Sequence, residues 1–431
     1  MTKATTTTLL FLSLALAAPC QTGTRSPYSQ YGLGAMRDQS QGFSRGMNGV
    51  GIALRLGNTA NTLNPAAYSA VDSLTMLFDV ALAGQVTNYK EHGSEKNVKG
   101  GGLEYIVGTF RLLKDVGMSF GLLPYSTIDY EYTTSKFLDN TYGTVSETYS
   151  GSGGLHQAFL GVGWRVTEPL SLGLNVAYLW GKQDKTVTTG STTYINSLSK
   201  NYSALFNSYN IQVGAQWEQR LSKEDMLTIG ATASIGHSLG SEAKYMIVNS
   251  NSTTGNRDTT MFTASDGFKI PWTYGLGLGW THKENLFVEA DVTLQKWGGT
   301  AYPDYDAAAN AYVKKEGLLK DRCKVGIGAD WVPNPAGRKF FSRVHYRMGA
   351  GLATPYYKIN GANGPKEMSV SAGMGLPLQN SWNSRGNMRP VLNISAQWAR
   401  AAATGLITEN TFRINIGLTF NERWFAKWKV N

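Results

Sequence analysis

The stretch Ser44–Asp72, SRGMNGVGIALRLGNTANTLNPAAYSAVD, decides how the rest of the chain is read. Gly46, Gly49, Gly51 and Gly57 make it too loose for a helix or strand of its own. Met47, Val50, Ile52, Leu54, Leu56 and Leu63 make it too apolar for a solvated linker. Such a segment needs a container. Asn64-Pro65-Ala66 then stops it. Proline biases Asn64 away from the helical region, and Asn64 can cap a short helix with Pro65 in its first position. Beyond Asp72 the sequence changes character, so the expectation is a compact N-terminal plug inside a large barrel.

From Ser73 onward the hydrophobic period is two. In Asn285–Lys296, Leu286, Val288, Ala290, Val292 and Leu294 share one face, and Glu289, Asp291, Thr293 and Gln295 the other. Arg322–Trp331 and Thr411–Phe420 alternate in the same way, the signature of a two-faced strand. Fourteen such segments are expected, at about 73–88, 99–112, 116–134, 144–166, 170–188, 198–221, 226–248, 260–282, 285–299, 321–333, 341–359, 366–379, 389–401 and 409–421. Tight connections near 113–115, 168–169, 222–224, 283–284 and 334–337 alternate with longer polar ones near 89–98, 135–143, 189–197, 249–259 and 300–320. A transmembrane barrel alternates short and long connections, and a soluble sandwich has no reason to. Residues 380–388 break the pattern as an unusually long turn on the short side. Trp164, Trp180, Trp217, Trp272, Trp280, Trp297, Trp331 and Trp398 fall near segment ends, where rings at two water boundaries belong.

Composition agrees. Of 431 residues only 16% are charged, 11% are aromatic, and 49 are glycine. With a mean hydropathy of −0.24, helical membrane spans are excluded, whereas strands with one apolar and one polar face fit. The net charge of +10 is scattered rather than clustered with aromatics, which argues against nucleic acid as a partner. Cys20 and Cys323 form no CxxC, and five dispersed histidines make no metal framework, so neither cofactor nor metal is expected. Lys3 followed by Leu9–Ala18 reads as a secretory signal ending near residue 20. A lipoprotein cut before Cys20 would leave Pro19 ahead of it, which disfavours lipidation.

Gly46-Met-x-Gly-x-Gly-x-Ala, followed by Asn64-Pro65-Ala66 ahead of the first strand, resembles the hatch of the FadL/TodX outer-membrane transporters of hydrophobic compounds. The versions of the Bacteroidetes group are the most similar. Arg423-Trp-Phe425 after the last strand resembles them too, and the likeness spans nearly the whole chain. It implies an all-β fold: a fourteen-stranded antiparallel transmembrane barrel with an N-terminal plug in the lumen. The expected layout is a signal peptide at 1–20, hatch at 21–72, barrel at 73–421 and tail at 422–431. Gly46, Gly49, Gly51, Asn64, Pro65 and Ala66 are the hatch motif. In that family the third strand kinks and opens the wall sideways. Gly121, Leu123 and Pro124 fall on that strand here, and a proline there interrupts a ladder. The implied function is passive uptake of hydrophobic molecules such as long-chain fatty acids, and the protein is expected to be a monomer in the bacterial outer membrane, in contact with its lipid. The alternative is a non-transporting barrel serving as partner or carrier in a protein secretion machine.

No catalytic constellation stands out, and no enzyme is expected. Gly46-x-x-Gly49-x-Gly51 lacks the dinucleotide spacing. Gly275, Gly277 and Gly279 recur on one face, leaving room for something to pack inside. Arg343, His345 and Arg347 share a face and, with Met47 and Leu54, are the candidate lumenal ligand contacts. The two basic readings are a cradle for a ligand carboxylate and a set of ion pairs joining plug to wall.

Overall fold

Strict alternation over long segments closes a sheet on itself, because an open edge is a row of unpaired backbone groups. The computed structural model describes residues 26–73, 75–91, 93–137, 143–191, 196–283, 285–378 and 390–423. It is a closed barrel of fourteen antiparallel strands. These are β1 (Thr75–Glu91), β2 (Ser94–Leu113), β3 (Val116–Phe137), β4 (Thr144–Arg165), β5 (Leu170–Ser191) and β6 (Asn196–Arg220). Then come β7 (Asp225–Ser234 and Glu242–Asn251), β8 (Arg257–Ser265 and Thr273–His282), β9 (Leu286–Gln295) and β10 (Arg322–Trp331). The last four are β11 (His345–Ala353), β12 (Lys366–Pro377), β13 (Val391–Ala402) and β14 (Thr408–Arg423). Each pairs with the next, and β14 returns to β1 from Thr75↔Arg423 to Lys90↔Thr408. The segment expected as a signal, with Cys20, residues 380–388 and residues 424–431 lie outside the described residues.

Two segments expected as continuous are broken. β7 and β8 are interrupted at 235–241 and 266–272, where His237–Ser238 pairs with Lys269–Ile270 off the main sheet. β11 starts at His345 because Phe340–Ser342 coils into a 3-10 turn.

The outward face is apolar. On β8, Leu276 and Leu278 are exposed between Trp272 and Tyr274 at one level and Trp280 at the other. Trp164, Trp217 and Trp331 are exposed at the short-turn end, and Trp398 and Phe412 sit opposite each other nearer the long-loop end. This is the apolar band with aromatic rings at its borders. Trp297 is a correction: it is fully buried under Tyr356, ring centroids 4.7 Å apart, within a cap of long-loop residues. Its place just after a strand could not separate belt from cap. The cap covers the long-loop end with Phe206, Leu239, Tyr245, Phe268, Tyr312 and Leu319 around Leu33.

Candidate functional site

Residues 26–72 are mostly buried and pack against glycines of the wall strands. The wall is built to receive them. A Cβ on Gly173 would collide with Pro65, one on Gly214 with Asn64, and one on Gly230 with Ile52. Gly328 and Gly349 leave the same room for Met47, and Gly277 and Gly279 for Ile52 and Ala53. The period-two glycines of β8 are the near surface of a docking face for backbone.

Asn64 is fully buried and caps a 3-10 helix, Pro65–Ala70. Its Oδ1 accepts from Ala66 N at 3.1 Å, and its Nδ2 donates to Ile52 O at 2.9 Å and Ala215 O at 3.1 Å. One side chain thus ties the helix start, the hatch and the wall together. The motif lies towards the short-turn end, against the lower parts of β4, β5 and β6, just before β1 begins. Gly46 packs on Arg347, Gly49 on Asp38, and Gly51 beside Ser44 and Leu63.

Carboxylates on the wall hold the hatch backbone. Asp291 Oδ2 accepts from Gly51 N at 2.7 Å and Ile52 N at 3.1 Å, and Glu289 accepts from Ala53 N. On the other side, β2 shifts register between the partners of Ala81 and Leu82. The extra residue is Glu104 itself, which turns inward, where it is buried and bonds both Arg37 and Arg45. Alternation alone cannot foresee that, since Glu104 and Tyr105 point the same way.

Arg343, His345, Arg347, Met47 and Leu54 are drawn into structural contacts. Arg347 donates to Asp330 at 2.8 Å and to Asn393 at 2.6 Å, and its guanidinium lies 3.9 Å from the Phe43 ring centre. His345 bonds the same Asp330 at 2.9 Å. Met47 and Leu54 are buried against Phe43. None of the five lines either lumenal cavity.

The cavities use other residues. One of about 240 Å3 is lined by Arg37, Asp38, Gln85, Arg322, Lys324, Tyr356, Glu409 and Arg413. A second, of about 210 Å3, shares Arg37, Asp38, Arg322 and Lys324 with the first and adds Val50, Ile52, Leu63, Leu123, Phe159, Ala177 and Ile270. The charged group forms the junction between a polar chamber and a partly apolar one. Among the described residues Arg413 donates to the neutral Gln85 alone, at 2.8 and 3.1 Å. With Arg37 and Arg45 sharing Glu104, the junction holds a surplus of positive charge. Arg322 and Lys324 lie on the polar face of the alternating segment Arg322–Trp331. Arg37 and Arg413 carried no motif.

The apolar chamber ends at Leu123, where the wall splits. The β2–β3 ladder runs from Leu113↔Val116 to Ile106↔Leu122 and stops. β3 stays paired with β4, with a register shift between Pro124 and Ser126. Proline has no N–H to give the ladder, and the extra residue, Tyr125, bends the strand. The freed edge of β3 is taken by the chain's own N-terminal segment. Ala35 and Met36 pair with Thr127 and Ser126, Arg37 N donates to Tyr125 O at 3.0 Å, and Gln39 Nε2 donates to Pro124 O at 2.8 Å. Gly32 and Gly34 turn this strap with φ of +56° and +96°. A side chain there would be strained and would strike Tyr356 or Ile128.

This lumen-filled barrel with one split seam has a family. The model for the family described as BamG matches residues 1–431. The chain belongs to the BamG family. Its fold is that of the FadL/TodX-type channels. The toluene transporter TodX of P. putida superposes with a TM-score of 0.60 at 17% identity, covering 92% of this chain and 99% of that one. A Pseudomonas aeruginosa FadL homologue gives 0.62 at 12%, covering 90% and 99%. The Ralstonia pickettii toluene transporter TbuX gives 0.59 at 13%, covering 89% and 98%. At such identities the likeness is one of fold. No curated protein matches this chain significantly.

Proposed function

We propose that this BamG-family protein is an outer-membrane barrel that passes small amphipathic molecules, long-chain fatty acids among them, from an outer chamber sideways into the membrane. The short turns are then periplasmic and the cap faces outside. One observation carries the reading: the surplus cations at the cavity junction stand between a polar chamber and an apolar one that ends at the β2–β3 split. A carboxylate head suits Arg322 and Lys324 through charge-assisted hydrogen bonds, with its tail towards Leu123 and Phe159. Gly121, Leu123 and Pro124 belong to the lateral opening, and Asn64-Pro65-Ala66 sets the hatch floor. The test is fluorescent fatty-acid binding to purified barrel, with uptake by cells, for Arg322→Ala with Lys324→Ala. Both should fall about tenfold or more, as expected for losing charged hydrogen bonds of about 1.5–3 kcal/mol each. Unchanged binding rejects the reading.

A different observation favours a second reading, a barrel that serves a protein export machine. The cavities are small and partly polar rather than one apolar bore, and the cap closes the outer mouth. Gentle solubilisation separates the two. Stoichiometric co-purification with a larger assembly, together with no fatty-acid binding, selects the second.

A further inference from the structure

At the hatch floor a buried arginine has two of its three side-chain nitrogens without a partner among the described residues. The side chain of Arg55 is only 3% exposed. Its Nε donates to Glu218 Oε2 at 2.9 Å, while Nη1 and Nη2 have no partner among the described residues. A guanidinium kept from water with two donors unmet is costly unless something accepts from them.

The neighbours repeat the pattern. Arg165, Ser171 and Gln216 lie on adjacent strands, with Arg165 opposite Ser171 and Ser171 opposite Gln216. All three are on the lumenal face, two of them next to the glycines that receive the Asn64-Pro65 turn. Arg165 Nε and Ser171 Oγ are buried without a partner among the described residues. Gln216 spends its amide on Ile52 O and Leu54 O and leaves its own oxygen unmet. Arg55 lies within electrostatic reach of one carboxylate, Glu218, and of a second cation, Arg165, so the cluster carries net positive charge. Glu218 is 22% exposed, which marks the way in from the short-turn end.

We propose that Arg55 and Arg165, with Ser171, form a binding site for a small oxyanion, a phosphate or carboxylate, entering from the periplasmic side. The proposal takes the side from the function reading above and nothing else from it. A guanidinium edge with two parallel N–H groups matches two oxygens of such an ion, and a serine hydroxyl supplies a third donor. One arginine belongs to the hatch and the other to the wall. The bound ion staples them where Glu218 alone reaches only Arg55.

The test is amide hydrogen exchange of residues 50–57 in lipid-free detergent. Inorganic phosphate is titrated against sodium chloride at equal ionic strength. An ion bound only when the floor is folded slows exchange in proportion to 1 + [L]/Kd, so a tenfold excess over Kd gives roughly elevenfold slowing. Arg55→Gln should abolish the phosphate effect. Arg165→Gln and Ser171→Ala, which leave the Arg55–Glu218 pair in place, should weaken it. A parallel series in micelles containing phosphatidylglycerol identifies the source: slowing in that series alone assigns the site to a lipid headgroup. Equal exchange in phosphate, chloride and phosphatidylglycerol, or an undiminished phosphate effect in Arg165→Gln, overturns the proposal. None of these outcomes depends on fatty-acid uptake.

Discussion

The two sides of the barrel treat the hatch differently. Along β8 to β11 the ladders are unbroken over the membrane-level residues, and glycines let the hatch backbone lie directly on the wall. Along β2 and β3 Gly117 still receives the Tyr68 backbone below the split, but above Leu122 the wall parts, and there the hatch reaches it through long side chains and one borrowed strand pairing. Backbone contact with buried carboxylate acceptors has little freedom to rearrange. Side-chain contact across a split can be exchanged for other partners. A single plug is therefore fastened on one flank and releasable on the other.

Glu104→Ala attacks the releasable flank hardest. It leaves Arg37 and Arg45 buried without their shared anion, a loss of about 3–5 kcal/mol. Residues 35–46 should lose exchange protection while the barrel still migrates as a folded, heat-modifiable band. Unaltered protection there would mean the flank is held by something other than this carboxylate.

Gly349→Leu attacks the fastened flank. The new side chain occupies the space of Met47 and Asn48, costing about 1–3 kcal/mol by overpacking. Exchange should quicken at residues 46–54 and hardly at 26–37. If both stretches respond equally, the two flanks are one cooperative unit and the contrast drawn above is wrong.

Pro124→Ala returns one N–H to β3, a change on the order of 1 kcal/mol. We expect a narrower seam and slower passage of hydrophobic compounds, with normal assembly. Passage at the native rate for every compound tried would remove Pro124 from the opening.

The smallest effect expected is with pH. Glu409, beyond the Phe412 ring on β14, has its carboxyl pushed up to about 7 by burial, against the opposing bond from Ser26 Oγ at 2.6 Å. A carboxyl raised in the folded state favours folding while protonated, below the ordinary carboxylate range. That contribution fades as pH rises through about 7. Protection of residues 26–31, taken relative to the intrinsic amide exchange rate at each pH, should fall between about pH 5 and 8 and stay level in Glu409→Gln. No pH response in the native protein would place the strap's anchor elsewhere.

Much of this contrast was legible in sequence. Period-two alternation gave the fourteen strands, because each strand meets a nonpolar medium on one face and a packed lumen on the other. Loop lengths gave the two ends. The cavity-lining residues were not legible. Whether a lumenal arginine meets a cavity or a carboxylate depends on rotamers and on partners hundreds of residues away. So Arg347, in the most promising cluster, is taken by Asp330, while Arg37 and Arg413, with no motif around them, reach the chamber. The inward turn of Glu104 was hidden for another reason: a bulge shifts the pattern by one residue and erases the signal it would need.

The closure of β14 on β1 sets an order of events during biogenesis. The hatch precedes β1, yet it is held by β2 through β13, and Ser26 bonds Glu409, 383 residues away. A finished cylinder admits such a segment only end-on, past the arginines and carboxylates that grip it. The plug must therefore be in place while the first and last strands are still apart. The wall is wrapped around it, and the last seam to zip is the one that commits the plug to stay.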